Sequence, residues 1–332
     1  MYKNFIQKIF QKDIAVLKSD DEVKARIENI SWPSECSADL GPYTVGECGR
    51  SLFYKILGVK PSSMSIRGAY ICDAGLMFEK YHIERLKTSD MLKDEQFRVV
   101  FQTETTNKVV ITGKVDCVIE DDNKRKFIEI KSVSAFKAPE IFGQNGKMPL
   151  PSASNLMQAM MYKHWTTTEE GQKAQIDEVF LQYVNRSDGS TFYYRVDLDQ
   201  QGYAIITAID QAGQELYTLR LQDQKSFAEL MTEGQEDTEL ARLAELRIST
   251  SDIFKKFDEV YTCARAKTLP PKDFKNIYSQ EDLERAAKCG KISKRKLTTL
   301  KKSGETYSDY KCTICNYMKK CLADSGVNLI NF

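Results

Sequence analysis

Between residues 97 and 134 the chain carries three strand-like runs in close succession, and no other stretch constrains its fold as much. FRVVFQTE, KVVITGKVDCVIED and KFIEIKSVS are rich in Val, Ile and Phe, and polar turns such as Asp121-Asp122-Asn123-Lys124 separate them. Upstream, ECGRSLFYKILG (47–58) reads as a short helix closed by Gly58. DAGLMFEKYHIERLKT (73–88) reads as an amphipathic helix with Leu76, Phe78, Ile83 and Leu86 on its apolar side. Downstream, SASNLMQAMMYKHWT (152–166) returns to helical spacing with Ser154 as its expected N-cap. EVFLQYVNR (178–186) and TFYYRVDL (191–198) then supply two more strands. The order helix, three strands, helix, two strands predicts an α/β (α+β) fold, a mixed sheet flanked by helices.

The remaining segments read differently. Residues 1–32 are expected to form one or two helices, followed by the loop SWPSECSADLGPY (31–43). Residues 200–262 are charged and are expected to be helical, and residues 263–332 are expected to be irregular up to a closing group of cysteines. The expected division is N-terminal helices at 1–45, a core at 46–200, a helical insertion at 201–262 and a C-terminal module at 263–332.

The 332 residues carry a net charge of +1, with 42% hydrophobic and 29% charged side chains. That balance fits a globular protein with a sizeable core and gives no global basic signature, so any nucleic-acid affinity must come from local clustering. No apolar run is long enough to span a membrane. The first residues, MYKNFIQKIFQKDIAVL, place Phe5, Ile6, Ile9 and Phe10 at helical spacing, unlike a signal peptide. A cytosolic protein with no membrane partner is the expectation. Gly143-Gln-Asn-Gly-Lys147 lacks the spacing and the hydroxyl of a phosphate loop, and the two histidines, His82 and His164, are too few for a histidine-rich site.

Within the strand region, Gly113-Lys114-Val115-Asp116 is followed thirteen positions on by Glu129-Ile130-Lys131. Residues i and i+2 of a strand share a face, so Glu129 and Lys131 point the same way while Ile130 enters the opposite layer. A hairpin brings Asp116 beside them. Two carboxylates from adjacent strands make a hard-oxygen site suited to Mg²⁺ or Mn²⁺, with Lys131 placed to orient water or stabilise developing charge and the Ile130 carbonyl as a further ligand. A cross-strand salt bridge on a solvated face is the alternative for the same residues. The apolar strands around both acids favour use of the charges, since buried charge is costly.

GKVD…EIK resembles the PD-(D/E)xK nuclease superfamily, with Val115 in place of its proline. Gln158-Ala-Met-Met-Tyr162 resembles the Q-x-x-x-Y motif of the RecB-like branch, Gln158 and Tyr162 sharing one helix face. Gly75-Leu-Met-Phe-Glu79 resembles that branch's first motif, in which a helix provides a metal ligand. Many relatives have His there; here Glu79 occupies the place and His82 follows one turn on. The resemblance implies a restriction-endonuclease-like mixed sheet. It also implies a metal-dependent DNA nuclease, with exonuclease action the expected mode, catalytic Asp116, Glu129 and Lys131, metal held by Glu79, Asp116, Glu129 and the Ile130 carbonyl, and Gln158 and Tyr162 positioning substrate.

There are nine cysteines, and Cys312-Thr-Ile-Cys315-Asn-Tyr-Met-Lys-Lys-Cys321 has chelating spacing. Three thiolates need a fourth ligand, for Zn²⁺ or for an iron–sulfur cluster, and the spacing does not choose between them. RecB-like nucleases with a [4Fe–4S] cluster, among them CRISPR-associated RecB-type exonucleases and the AddB nuclease domain, have one cysteine before the nuclease core and three after it. Cys48-Gly-Arg50-Ser-Leu-Phe53-Tyr54 is similar to their first segment, and Leu269-Pro-Pro-Lys-Asp-Phe274 to the approach to their last three. The resemblance thus implies a [4Fe–4S] cluster on Cys48, Cys312, Cys315 and Cys321 in a helical module formed by both ends of the chain, with Cys263 and Cys289 as rival fourth ligands. Cys36, Cys72 and Cys117 read as buried or incidental thiols.

The expected partner is DNA, single-stranded or at duplex ends. Residues 288–302, KCGKISKRKLTTLKK, hold seven basic residues and no acid, so Lys294, Arg295 and Lys296 are candidates for phosphate contact, with Arg50 as a second contact; a solvated basic face is the alternative. Phe53 and Tyr54 read as core residues, with base stacking the alternative. The family setting implies a bacterial cytoplasm, or a phage gene in a bacterial host, and a helicase, recombinase or CRISPR-type partner. A non-catalytic DNA-binding or scaffold subunit of a recombination or repair complex is the second reading, against which the intact Asp, Glu and Lys weigh.

Overall fold

The strand-like runs form one seven-stranded sheet in the computed structural model, which describes residues 40–63, 66–88, 91–121, 123–226, 229–230, 238–274, 278–288, 292–303 and 307–325. Helix α1 (Gly49–Ile56) and helix α2 (Ile66–Thr88) precede strands β1 (Leu92–Gln102), β2 (Val110–Asp121) and β3 (Lys124–Val133). Helices α3 (Ala138–Phe142), α4 (Ala153–Trp165) and α5 (Glu169–Ala174) lead to β4 (Glu178–Asn185), β5 (Thr191–Leu198), β6 (Ala204–Ile209) and β7 (Glu215–Arg220). Helices α6 (Thr238–Leu246), α7 (Thr250–Ala266), α8 (Gln280–Lys288), α9 (Lys294–Ser303), α10 (Tyr310–Thr313) and α11 (Met318–Ala323) complete the described chain. The expected helices at 1–32, together with Cys36 and Cys289, lie outside the described residues.

The strands lie side by side in chain order, and every neighbouring pair is antiparallel except β3 and β4. That parallel pair needs a crossover, supplied by the segment carrying α3, α4 and α5. Helix α4 buries Leu156, Ala159, Met160, Met161, Tyr162 and Trp165 in the main core on one face of the sheet. Helix α2 covers the other face, where Ile83 packs with Cys117, Ile128, Ile130 and Val184. The architecture is a mixed α/β sheet flanked by helices, as the pattern of elements predicts.

Three local expectations change. Leu76 is 57% exposed, whereas Phe78, Ile83 and Leu86 do pack on the sheet. The N-cap of α4 is Ser152, in extended conformation, two residues before Ser154. The 201–262 segment is not a wholly helical insertion, because β6 and β7 extend the sheet there; among its described residues α6 and α7 are the long helices. Ala204, Ile206 and Ala208 are fully buried at alternate positions, which is the period of a strand packed on one face. Asp210 accepts from the amides of Ala212 and Gln214, and Gly213 at φ +83° completes the turn. Six-residue strands of this kind are hidden when charge is averaged over some sixty residues. The C-terminal segment, expected to be irregular, is largely short helices.

Candidate active site

The sheet loses its regularity at Asp116. Pairing of β1 with β2 runs from Glu95 opposite Cys117 to Phe97 opposite Val115, passing over Gln96 and Asp116. Gln96 has φ +51°, the left-handed conformation that side chains rarely adopt. Pairing of β2 with β3 stops at Cys117 opposite Ile128. Val115 and Val118 both enter the main core although strand alternation would send residues three apart to opposite faces. Where the ladder stops, the Ile130 amide donates to Asp116 Oδ2 at 2.7 Å. The N–H and C=O of one strand residue leave the same edge, so the Ile130 carbonyl faces the same gap.

Glu129 and Lys131 share a face, with Lys131 Nζ 2.5 Å from Glu129 Oε1. Gln158 Nε2 donates to that same oxygen at 2.7 Å and to Tyr162 Oη at 3.0 Å, and Tyr162 Oη donates to the Lys114 carbonyl at 2.7 Å. Gln158 and Tyr162 are buried, and their hydrogen bonds run to the protein: one holds Glu129, the other holds β2. In the structure they position the carboxylate and its strand. Glu129 is 2% exposed, and its second oxygen, Oε2, is buried with no hydrogen-bond partner. The Lys131 side chain is 27% exposed, so the group opens to solvent on the lysine side.

Helix α2 brings Glu79 to the same group. Gln96 Nε2 donates to Glu79 Oε1 at 3.0 Å, and Glu79 interacts with Asp116, Glu129 and Lys131. Gly75, one turn earlier, lies over β3, where an added Cβ would meet Ser132 Oγ at 3.8 Å. His82 is turned elsewhere: it is buried, its Nδ1 is 3.3 Å from Gln182 Nε2, and its ring meets Tyr81 edge-on. Of the two residues left open for the helical position, Glu79 is the one beside the acids. Gln96 is the neighbour that the sequence does not announce, since nothing local marks a glutamine as left-handed.

Electrostatics follow from the burial. Burial, then the Glu129 charge, pushes the Asp116 carboxyl well above the usual carboxylate range, and the same two causes in the same order raise Glu79. Burial alone would lower the Lys131 ammonium, but Glu129 and then Asp116 more than offset it, and its pKa is raised. Three carboxylates thus face one ammonium, an excess of negative charge in a shielded place. Among the described residues no three His, Cys, Asp or Glu side chains close on a single ion position. Even so, the donors suit a divalent cation: hard oxygens, net negative charge and an unsatisfied buried Glu129 oxygen.

No family model matches this chain, and no curated protein matches it. Among solved structures, the crystal structure of SSO0001 is similar with a TM-score of 0.34 and 16% identity, over 58% of this chain and 79% of that one.

A second cavity gathers four cysteines. Cys48, Cys312, Cys315 and Cys321 line it together with Arg50, Tyr54, Phe274 and Tyr317. Cys48 caps the N-terminus of α1, while the other three lie on and around α10 and α11. Burial, then the charge of Cys48, pushes the Cys312 thiol up to about 12, and burial raises Cys315. Cys48, Cys312, Cys315 and Cys321 thus stand around one cavity as soft donors, although among the described residues no three of them close on a single ion position. Cys263 packs at the edge of the main core and does not line this cavity.

Arg50 is engaged within the protein. Its Nε donates to the Pro270 carbonyl at 2.9 Å and its Nη1 to Ser325 Oγ at 2.9 Å, with Cys321 Sγ at 3.8 Å. The guanidinium ties α1 to the C-terminal segment. Phe53 and Tyr54 are buried, and Tyr54 donates to Asp324 at 2.8 Å, so neither is open to a base. Lys294, Arg295 and Lys296 are exposed on α9, which packs with α8 around Leu283, Ala286, Ile292 and Leu300. No helix of the described residues is long and apolar enough to cross a membrane.

Proposed function

We propose that the chain is a metal-dependent DNA nuclease, cutting phosphodiester bonds at the Asp116–Glu129–Lys131 group and acting as an exonuclease. The observation that carries this reading is the buried, partnerless Glu129 Oε2, flanked by Asp116 and Glu79 at the point where the sheet ladder opens. Glu79, Asp116, Glu129 and the Ile130 carbonyl would hold Mg²⁺ or Mn²⁺. When bound, such an ion polarises a phosphoryl oxygen and lowers the pKa of water.

The chain's own residues do the rest. Gln158 and Lys131 occupy Glu129 Oε1, which leaves Oε2 as the free acceptor. The Ile130 amide fixes Asp116. Hydrolysis of a phosphodiester builds negative charge on the phosphoryl oxygens as water adds. The Lys131 ammonium, on a largely buried side chain beside Glu129, stands to stabilise that charge and is kept protonated by its two carboxylate neighbours. The four-cysteine cavity supports a structural [4Fe–4S] cluster joining α1 to the C-terminal segment.

The deciding experiment uses single- and double-stranded DNA labelled at the 5′ or 3′ end, in Mn²⁺, with the full chain and with Lys131→Ala. Metal-dependent loss of labelled ends that disappears in the variant supports the reading. DNA binding without cleavage by the wild-type chain overturns it in favour of a non-catalytic binding subunit.

A further inference from the structure

Exposure climbs steadily outward from the acids along β3. Glu129 is 2% exposed, the Lys131 side chain 27%, and Phe136, in the turn that follows the strand, 85%. Beyond Lys131 along the chain, Phe136 is the first exposed large apolar side chain, since Val133 packs against the main core. An exposed phenylalanine gains nothing from folding. Its placement is nevertheless fixed, because the amides of Lys137 and Ala138 both donate to the Ser134 carbonyl, at 2.9 and 3.0 Å, and the Arg186 amide donates to the Val133 carbonyl at 2.9 Å. The turn therefore presents the ring from a built support.

Helix α2 supplies a second apolar group at the same end. It runs antiparallel to β3: Gly75 lies over Ser132, Glu79 reaches Glu129, and Ile83 packs on Ile128. Ile71 is one turn before Gly75 on the same helix face and is 49% exposed. With α2 and β3 antiparallel, Ile71 and Phe136 lie beyond the acidic group in the same direction, one on α2 and one in the turn after β3.

We infer that Phe136 is a base-stacking residue: unpaired bases of the strand entering the site stack on its ring, with Ile71 as an apolar flank. The inference rests on the nuclease reading and names its substrate as single-stranded nucleic acid or the frayed end of a duplex. Stacking needs only the π-face that every base has, so the contact holds a strand without reading its sequence. It also divides labour within the site: the acids and Lys131 meet the phosphate, and Phe136 meets the base.

The test measures binding of a fluorescent single-stranded oligonucleotide to the full chain in EDTA, where cleavage cannot occur, for the wild type and for Phe136→Ala, Phe136→Leu and Phe136→Trp. The alanine and leucine variants are expected to weaken binding by about 5- to 150-fold, the range of one lost base stack, with tryptophan close to wild type. Thermal midpoints should be unchanged in all three, since the ring packs little. Wild-type affinity in the alanine variant overturns the inference. So does wild-type affinity in the leucine variant, because an apolar contact alone would then suffice. If the wild type degrades DNA but these variants bind normally, only this inference fails. If the wild type neither binds nor cuts, the nuclease reading fails with it.

Discussion

The Ile130 amide donates to Asp116 Oδ2 at 2.7 Å, and this bond stands where the β2–β3 ladder would otherwise continue. A side-chain carboxylate has taken the place of a backbone carbonyl. The donor is satisfied, the two strands part, and the opening holds the charged group. An amide side chain at the same place retains an oxygen acceptor, which makes charge and geometry separable by mutation.

Asp116→Asn is therefore expected to fold and to lose metal-dependent cleavage. Asp116 has a folded-state pKa raised above its unfolded value, so its contribution favours the fold at low pH and is lost as pH rises through the raised value. At pH 7, above the ordinary aspartate range, that preference for the protonated form destabilises the metal-free protein. The variant should melt a few degrees above wild type at pH 7 and at a similar temperature near pH 4. Melting curves at the two pH values check the sign.

Added Mn²⁺ should raise the wild-type melting temperature and leave Asp116→Asn and Glu129→Gln nearly unmoved. At 100 times its dissociation constant, an ion bound only by the folded state contributes about 2.7 kcal/mol. An equal shift in all three proteins would place the ion elsewhere.

Tyr162→Phe removes a buried donor to the Lys114 carbonyl and should cost about 1–3 kcal/mol. Since Tyr162 and Gln158 contact the protein rather than solvent, Gln158→Leu should lower kcat while leaving DNA affinity in EDTA unchanged. A weakened affinity with intact kcat would return these residues to substrate binding.

Burial lowers the His82 imidazole to about 4 from an ordinary value near 6.5. Below about pH 6.5 the unfolded chain binds a proton that the fold refuses. Stability should fall as pH drops from about 6.5 to about 4, by on the order of 3 kcal/mol from this residue. His164, also lowered by burial, adds in the same direction. Urea midpoints across that range should fall less steeply for His82→Gln than for wild type.

Cys48→Ser should lose iron and sulfide as completely as Cys321→Ser, although 273 positions separate the two, whereas Cys263→Ser should retain both. Arg50→Ala should loosen the cluster and leave DNA affinity unchanged, because its guanidinium is engaged by Pro270 and Ser325.

Period and spacing made much of this legible. Strand alternation alone put Glu129 and Lys131 on one face, and the four-residue step from Gln158 to Tyr162 put both on one side of α4. Other features had no sequence signal. Gln96 enters the site through a left-handed backbone conformation that its residue type does not announce. The engagement of Arg50 by Pro270 and Ser325 is a long-range fact that no local pattern carries. The β6–β7 hairpin was obscured by charged neighbours, though its buried positions alternate cleanly.

Helix α1 closes onto residues that leave the ribosome far later. Gly49 meets Asp273, Arg50 meets Pro270 and Ser325, and Tyr54 meets Asp324, at sequence separations of 220 to 275. Closing so long a loop costs entropy before any contact repays it, so this docking belongs late in folding. During synthesis the strands that carry Asp116, Glu129 and Lys131 can pair while α1 still lacks its partners. Docking of the C-terminal segment onto α1 is thus a late long-range closure among the described residues, one that must wait for synthesis to pass residue 325.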